Sequence, residues 1–407
     1  MRFSGATIID GTGADPVRGG ELVVENGRIA SLRAAVAGDG EVVDLSGLTV
    51  VPGLIDAHTH LGYVFPSSEL THGGTTSVAV IAARIFRNCE LALDAGFTTV
   101  RDAGGLDGGI VRAIDSGLVR GPRIFPSGPS IVQDGGHASF QVPFSDCWCP
   151  VAVPGLYQAK AICNSPDEVR LAARRHFRRG ATQIKLMVTG GVVSLTDSLD
   201  DTQLSVAEIR AAVEEAEARN SYVTVHAHNV RGIRNALAAG VTCVEHGSFL
   251  DQDTARAMAR AGAALVPTLA VANLMATQWR AWGLPEQVVP RVEGAEAAMG
   301  RSILLARQVG VLIGSGSDLL GPDQTRHGLE LVLRSAVEDP MAALLSATRD
   351  NARIMQVGDS LGTLEPGKLA DLVALDGDPL ASPGIFDQPE RAVVVVKSGQ
   401  VVKDRRR

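Results

Sequence analysis

The sequence predicts an α/β fold: a (β/α)8 TIM barrel joined to a small β-sandwich domain that both termini build. Between the ends, short apolar β-rich runs alternate with helix-like stretches, the pattern of repeated βα units around a parallel sheet. Eight such runs end near residues 58–60, 101–102, 126–128, 185–187, 226–228, 245–246, 267–268 and 316–318. Eight parallel strands are the number that closes a barrel of this kind.

The β-sandwich domain is predicted from the two ends of the chain. Apolar and polar positions alternate between glycine turns at the N-terminal end, as in residues 21–27, and at the C-terminal end, as in residues 392–402. This pattern is typical of short antiparallel strands. Because neither end can bury its strands alone, we expect residues 1–55 and 355–407 to form one composite domain beside a barrel of residues 56–354.

Three of the connecting segments carry a clear helical pattern. In residues 165–179, 205–219 and 295–309, apolar side chains recur at intervals of three and four. Ser205 and Glu208 have the spacing of a capping box at the start of the second helix. We expect these helices to be scaffold rather than site.

Charge limits the classes of partner. The formal net charge is −7, whereas nucleic-acid binding depends on clustered lysine and arginine. The concentrated basic run at residues 403–407 lies at the C-terminal end, where a solvated tail is expected. We therefore expect a small-molecule partner and no nucleic acid.

Cysteine usage and the N-terminal segment predict a cytoplasmic protein. The five cysteines form no repeating framework, which favours a reducing compartment. Cys147, Cys149 and Cys163 are interpreted as ordinary loop thiols, because a Cys-x-Cys without a second pair is a weak metal motif. The N-terminal residues lack the pattern of a signal peptide, and no apolar run reaches the roughly 18 residues that span a bilayer. We expect no membrane insertion.

A His-x-His pair is the first chemical signal. His58 and His60 follow an apolar strand, and residues two apart in a strand face the same side, so both imidazoles can reach one point. Chance proximity is the alternative. Apolar runs also end at Lys185, His226, His246 and Asp318, and barrel active sites are built at such strand ends. This context favours a metal site over chance.

Lys185 closes an apolar strand where an ammonium group would face a cationic site. As an ammonium it has no lone pair to offer a metal. A buried, deprotonated lysine could instead react with CO2 to form a carbamate, whose two oxygens can bridge two metal ions. The alternative is a lysine that snorkels or pairs with an acid.

Taken together, the motifs resemble the binuclear metal-dependent branch of the amidohydrolase superfamily, the branch of prolidase-like and imidazolonepropionase-like proteins. The resemblance covers nearly the whole chain. The matching segments are residues 53–60 (Gly-Leu-Ile-Asp-Ala-His-Thr-His), 184–186, 225–228, 244–247, 315–318 and 362–373.

The resemblance implies a complete set of metal ligands. His58, His60 and Asp318 would bind the more buried of two divalent ions, expected to be zinc. His226 and His246 would bind the second, and carboxylated Lys185 would bridge them. A hydroxide between the metals would attack the amide. Asp318 would take its proton and pass it to the leaving nitrogen.

Three further residues are implied to contact the substrate. His137 matches a histidine that stabilises negative charge on the substrate carbonyl, with a surface-loop histidine as the alternative. His228 competes with His226 as a ligand, and the family pattern makes it a substrate contact. Arg231 lies where prolidase-like relatives hold a group that binds the substrate carboxylate. Relatives often have tyrosine where this chain has His228, so the resemblance does not define the pocket for the leaving group. Gly190 and Gly191 allow a close backbone approach or form a plain turn.

The predicted function is hydrolysis of a peptide-like or N-acyl amino acid bond, as in an Xaa-Pro dipeptidase or carboxypeptidase-like amidase. The first alternative is a cyclic amide hydrolase or deaminase. Mononuclear relatives with these activities lack the lysine ligand, so the presence of Lys185 favours the amide hydrolase. The second is a barrel that has lost its metals and acts as a scaffold. A homo-oligomer is also expected. His72, His176 and His327 lack strand-end context and are predicted to be structural.

Overall fold

The computed structural model describes residues 1–34, 41–64, 76–139, 152–194 and 197–406. The strands are β1 (Arg2–Ile8), β2 (Val17–Glu25), β3 (Arg28–Ala34), β4 (Val42–Asp44), β5 (Thr49–Pro52), β6 (Leu54–Thr59), β7 (Phe97–Asp102), β8 (Arg123–Pro126), β9 (Ser130–Val132), β10 (Ala152–Val153), β11 (Tyr157–Gln158), β12 (Lys160–Ile162), β13 (Ile184–Met187), β14 (Val223–Ala227), β15 (Cys243–His246), β16 (Ala264–Val266), β17 (Leu372–Leu375), β18 (Ala392–Lys397) and β19 (Gln400–Asp404).

The α-helices lie between and after these strands. They are α1 (Val78–Asp94), α2 (Gly108–Asp115), α3 (Pro166–Arg178), α4 (Val206–Glu217), α5 (Val230–Ala239), α6 (Gln252–Ala261), α7 (Leu269–Thr277), α8 (Val289–Gln308), α9 (Leu329–Val337), α10 (Pro340–Leu345) and α11 (Asn351–Ile354). Among the described residues, no helix is both long and apolar enough to cross a bilayer.

The two ends of the chain form one sheet, as the sequence predicts. Its order is β19-β18-β17-β5-β1-β2-β3, with β4 also paired to β1. The ends meet where β17 pairs antiparallel with β5, from Leu372 opposite Pro52 to Leu375 opposite Thr49. The expected sandwich is thus a single hydrogen-bonded sheet of eight strands. Apolar side chains from both ends, among them those of Phe3 and Val394, share one buried cluster.

Removing the N-terminal strands should therefore unfold the protein rather than trim it. A chain that starts at Leu54 would lose one of the two partners of β17 and nine of the fifteen buried side chains described in the shared apolar cluster. The strands left behind would present unpaired, apolar edges. We expect this truncated chain to be insoluble when expressed beside the full chain. Soluble and active truncated protein would contradict the pairing of the two ends.

Two parallel sheets form the centre of the structure, in the orders β6-β7-β8 and β12-β9-β13-β14-β15-β16. They share one stretch of chain, because β8 and β9 follow each other with three residues between them. A second contact joins them on this side, where the Thr182 N–H donates to the Pro126 carbonyl at 2.8 Å. One face of β13 to β16 contributes apolar side chains, such as Leu186, Val225 and Val244, to a large buried cluster that also includes side chains of α3 to α6.

The eighth predicted strand is not a regular strand. Residues 311–318 make a single bridge, between Ile313 and Leu265, although the segment hydrogen-bonds on both sides. Gly314 N–H donates to Leu265 O at 2.8 Å, and Ala57 N–H donates to Ser315 O at 3.0 Å. The Asn351 side chain also bonds the backbone of this segment, because it accepts a hydrogen bond from the Ser315 N–H and donates one to the Ser315 carbonyl.

The predicted helices are present with one difference in length. Ser165 caps α3, and Ser205 with Glu208 forms both bonds of the predicted capping box on α4. The third helix, α8, begins at Val289 and not at residue 295. Pro290 lies in the first turn of this helix, where proline is favourable because no backbone N–H is needed there.

Candidate metal centre and active site

The six predicted metal ligands all lie around one cavity at the carboxyl ends of the parallel strands. His58 lies on β6 and His60 directly after it. Lys185 lies on β13, and the other positions are the ends of β14, β15 and the 311–318 segment. The carboxyl ends of parallel strands meet at one edge, which is why residues distant in sequence converge there.

Three of these side chains form a compact group of ligand atoms. His58 Nε2 lies 3.3 Å from His60 Nε2. Asp318 Oδ1 lies 3.4 Å from His58 Nε2 and 3.1 Å from His60 Nε2. Among the described histidine, cysteine and acidic side chains, this is the group close enough to hold one metal ion. The burial of both imidazoles leaves them little contact with solvent.

The hydrogen bonds of the two imidazoles determine which nitrogen is free. His58 Nδ1 lies 2.7 Å from Glu245 Oε2, and His60 Nδ1 lies 2.9 Å from the Gly104 carbonyl oxygen. A carbonyl oxygen only accepts hydrogen bonds, so Nδ1 of His60 carries the proton. The Glu245 carboxylate likewise accepts, so Nδ1 of His58 carries the proton too. Both Nε2 lone pairs therefore face Asp318, as metal ligation requires.

Glu245 is a buried anion that the sequence analysis did not single out. Its side chain accepts a hydrogen bond from Thr224 and forms an ion pair with buried Arg101, whose Nη2 lies 2.5 Å from Oε1. Burial alone would raise the pKa of Glu245, but Arg101 and His58 hold this pKa well below its usual range. Its signal in the sequence is an acid inside an apolar strand, where burial demands a partner.

Lys185 lies among these groups without a partner. Its side chain is buried, and Nζ has no hydrogen-bond partner among the described residues. Burial lowers the pKa of Lys185 to about 8, although Glu245 and Asp318 act in the opposite direction. A buried polar group without a partner is costly, which points to a chemical state or ligand beyond the bare amine.

His226 and His246 form a second pair beside this group. Their rings meet edge to face with centroids 4.6 Å apart. His246 Nδ1 lies 2.8 Å from Thr268 Oγ1, and His226 Nε2 lies 3.4 Å from Gly190 O. Burial, followed by the neighbouring histidines, lowers the pKa of both well below its usual value. Both imidazoles are therefore neutral and each retains a lone pair.

His137 is held over this pair. Its ring stacks on His226 with centroids 4.2 Å apart, and its Nδ1 lies 2.7 Å from Ser194 Oγ. A side chain at Gly191 would place its Cβ 2.1 Å from the His137 ring. Glycine at that position is thus needed so that the His137 ring can lie this close to the backbone, whereas a close approach of this backbone to a ligand stays a prediction. Burial lowers the pKa of His137 to about 4.

His228 also lines the cavity, whereas Arg231 does not. His228 Nδ1 lies 2.9 Å from Ser248 Oγ, and its ring stacks on His246 at 5.0 Å. Arg231 is absent from the described residues that line the cavity, and its guanidinium donates instead to the Asp200 carbonyl at 2.8 Å. The structure therefore does not bring Arg231 to the site, because it lies in the first turn of α5, beyond the strand end.

The remaining candidates lie away from the cavity lining. His327 Nδ1 lies 2.8 Å from Asp56 Oδ2 beneath the site, and His176 is buried against α3 neighbours, as expected of structural histidines. Cys163 is a buried free thiol. His72, Cys147 and Cys149 lie outside the described residues.

Comparison with known proteins identifies the family. The sequence profile of the Amidohydrolase family matches residues 49–402. The chain is 31% identical over 368 residues to ochratoxinase of Aspergillus niger, covering 87% of this chain and 75% of the relative. The chain belongs to the amidohydrolase family. This amidohydrolase is therefore a hydrolase that acts on amide bonds, in a family that depends on metal ions.

Solved structures of other amidohydrolases superpose over the whole chain. A prolidase complexed with N-methylphosphonate-L-proline is 35% identical, with a TM-score of 0.92 and coverage of 99% of both chains. A Xaa-Pro dipeptidase with methionine bound in its active site is 29% identical, with a TM-score of 0.87 and coverage of 99% of both chains.

The imidazolonepropionase of Rhizorhabdus wittichii is 28% identical over 404 residues, covering 90% of each protein. The predicted resemblance to both groups is confirmed.

Proposed function

We propose that this amidohydrolase cleaves a peptide-like or N-acyl amino acid bond next to a carboxylate, as a Xaa-Pro dipeptidase or carboxypeptidase-like enzyme. The observation that carries this proposal is the group of buried His58 and His60 with partly buried Asp318, which lies beside a histidine pair and an unpartnered lysine. The activities of the prolidase, dipeptidase and ochratoxinase relatives agree with it.

The proposal includes a closed (β/α)8 barrel of residues 56–354. The hydrogen bonds that residues 311–318 make to both β6 and β16 support closure, with β6, β7, β8, β13, β14, β15 and β16 as the other seven strands. The composite domain of residues 1–55 and 355–407 would then carry the sheet that both ends build.

The donor set of the first group fits a divalent metal ion. Two ligands of a tetrahedral zinc ion, each about 2.1 Å from the metal, lie about 3.4 Å apart. The three ligand atoms here are separated by 3.1 to 3.4 Å. We propose zinc ligation by His58, His60 and Asp318. When bound, the metal ions would activate water and polarise the scissile carbonyl.

The second ion would be held by His226 and His246, with carboxylated Lys185 between the two ions. Carboxylation accounts for the unpartnered Nζ of Lys185, because it replaces a buried amine with two acceptor oxygens. It also requires the neutral amine, and burial increases the neutral fraction by lowering the pKa of Lys185 to about 8. Each imidazole retains one ring nitrogen for the metal, since Thr268 and Gly190 engage the other.

Metal loading should therefore depend on both bicarbonate and pH. Below a pKa of about 8, Lys185 is mainly protonated and the neutral amine falls about tenfold per pH unit. Metal-free protein given zinc should regain activity and two ions per chain faster at pH 8.5 than at pH 6.5, and only with added bicarbonate. Measured zinc stoichiometry without any dependence on bicarbonate would argue against the carbamate.

Side chains of the protein would then transfer protons and stabilise the charge that develops on the substrate carbonyl. Asp318 would accept the proton of the attacking water and pass it to the leaving nitrogen. His137 has one ring nitrogen engaged by Ser194. The N–H of its other ring nitrogen would donate a hydrogen bond to the developing oxyanion. His228, which lines the cavity, would contact the substrate. Arg231 is left out of this mechanism, because it bonds to Asp200 outside the cavity lining.

Metal analysis and a substrate screen test the proposal. Protein purified without chelator should contain close to two metal ions per chain, and a panel of Xaa-Pro, Xaa-Arg and N-acyl amino acids should include a substrate. Hydrolysis only of cyclic amides, or release of ammonia, would favour the alternative chemistry of the superfamily. Metal-free, inactive protein would favour a scaffold.

We also propose a homo-oligomer that acts in the cytoplasm. Free, buried Cys89, Cys163 and Cys243 are compatible with a reducing compartment. Light scattering of the purified protein would test oligomerisation. A mass equal to one chain of 42.5 kDa would contradict it.

A further inference from the structure

The outer side of the cavity is lined by a group of apolar side chains that we call the apolar wall. It comprises Val192, Val193, Val271, Met275 and Val292. These side chains belong to one apolar cluster, although they come from the loop after β13 and from α7 and α8. The wall therefore faces the space in front of the candidate metal centre, where the groups flanking a bound amide must lie.

Among the described residues, the ionisable side chains that line the cavity come from elements other than those of the wall, although the His137 ring packs against Gly191 beside Val192. Among the described residues that line the cavity, these are His58, His60, His137, Lys185, His226, His228, His246, Asp318 and Tyr63. None of them comes from α7 or α8. A charged substrate group placed against the wall would thus lose water without gaining a partner.

The wall is held in place before any ligand arrives. Arg291, next to Val292 on α8, donates to the Ser194 carbonyl at 3.1 Å. On the same loop, Gly191 N–H donates to Asp197 Oδ1 at 2.8 Å. These bonds flank Val192 and Val193 on both sides. A movement of this loop that lets a charged group reach solvent would have to break these bonds.

We propose that the apolar wall selects amides that carry an apolar side chain beside the scissile bond and rejects those that carry a charged one. This inference rests on the proposed amide hydrolysis and adds the class of substrate. Burial of an unpaired charge in an apolar site is far more costly than a mismatch in size. Selection against charge should therefore exceed selection among apolar side chains.

A substrate panel with the metal-loaded full chain provides the first test. We would measure kcat/KM for N-acetyl-leucine, -phenylalanine, -aspartate and -lysine, and for the dipeptides Leu-Pro, Phe-Pro, Asp-Pro and Lys-Pro. On at least one side of the amide, apolar members should exceed charged members by about 100-fold or more. Similar values for leucine, aspartate and lysine on both sides would overturn the inference.

A change in the wall provides the second test. Val193 is half-buried on a loop, so Val193→Asp should fold. It should lower kcat/KM for the best apolar substrate by at least about tenfold, mainly through KM, and improve the relative rate with the lysine analogue. Val17→Asp, the same substitution on β2 of the terminal sheet, is the matched control and should change neither. An unchanged preference in Val193→Asp would contradict the role of the wall.

Two measurements keep the test decisive. If Val193→Asp is insoluble, Val193→Thr keeps the shape and replaces one methyl group with a hydroxyl, and it should raise KM for the apolar substrate; an unchanged KM would count against the wall. If no amide is cleaved, the proposed function fails, and calorimetry with N-acetyl-leucine and N-acetyl-aspartate still tests the wall. Tighter binding of the leucine compound supports the inference, and equal binding overturns it.

Discussion

The Asp318→Asn variant is expected to retain metal and bind substrate while kcat falls by about 10²–10⁴-fold, the usual share of general acid–base catalysis. An amide keeps the shape of the side chain but loses the basicity needed to accept a proton. Asp318 Oδ1 lies 3.1 Å from His60 Nε2, and the carbonyl oxygen of asparagine can occupy the same position. Zinc stoichiometry, KM and kcat measured side by side separate the proton role from ligation.

The pH profile gives this prediction a second readout. Burial acts to raise the pKa of Asp318, but His58 and His60 lower it below its usual value. The carboxylate is therefore present above that low pKa and is lost as the pH falls through it. The low-pH limb of kcat should report Asp318 and the attacking water as a coupled system, and it should vanish in Asp318→Asn.

Asp253→Asn is the matched control for this variant, because the Asp253 side chain is 80% exposed on α6. It should leave kcat, KM and metal content unchanged. Full metal content with a nearly unchanged kcat in Asp318→Asn would remove Asp318 from proton transfer and leave the metal ions and His137 to account for catalysis.

The Lys185→Ala variant is expected to lose metal and activity together. Removal of the bridging group should leave fewer than two ions per chain and lower kcat/KM by at least about 10³-fold, since metal activation supplies several kcal/mol and each 1.36 kcal/mol is tenfold in rate. Short carboxylic acids such as acetate or propionate should restore part of both, because they supply two oxygens to the vacated space. Metal analysis and kinetics with and without the acid are the measurement.

A lysine outside the cavity lining provides the control for that variant. Lys368 pairs with Glu365 in the connection to the terminal sheet, and Lys368→Ala should keep metal and activity. An experimental structure with both metal ions bound beside an unmodified Lys185 amine would contradict the carbamate directly. Loss of activity in Lys185→Ala with full metal content would instead assign Lys185 a role outside ligation.

Much of the candidate site could be predicted from sequence because its residues sit at strand ends. A strand end in a parallel sheet has a defined location, so an apolar run followed by His58-Thr59-His60 or by Asp318 already places those side chains at a common edge. The pairing of the chain ends followed in the same way from strands too few to bury a core. The family resemblance supplied the roles that spacing alone could not assign.

Other features were decided only by the tertiary structure. Arg231 follows His226 closely in sequence, yet its side chain leaves the cavity, because the first turn of a helix sends side chains in directions that a strand end does not. The 311–318 segment is not a regular strand, and the Asn351 side chain, from a helix distant in sequence, bonds both the N–H and the carbonyl of Ser315. Neither result is visible in the local sequence.

The sequence by itself determined which residues gather at the strand ends, because apolar runs and the residues that end them are local. The structure decided what surrounds them: Arg101 and Glu245 beside His58, Gly191 against His137, and the apolar wall that lines the same cavity. These contacts join residues that are far apart in the chain. They depend on how sheets and helices pack in three dimensions, because burial and hydrogen bonding depend on distance in space and not on spacing in the sequence.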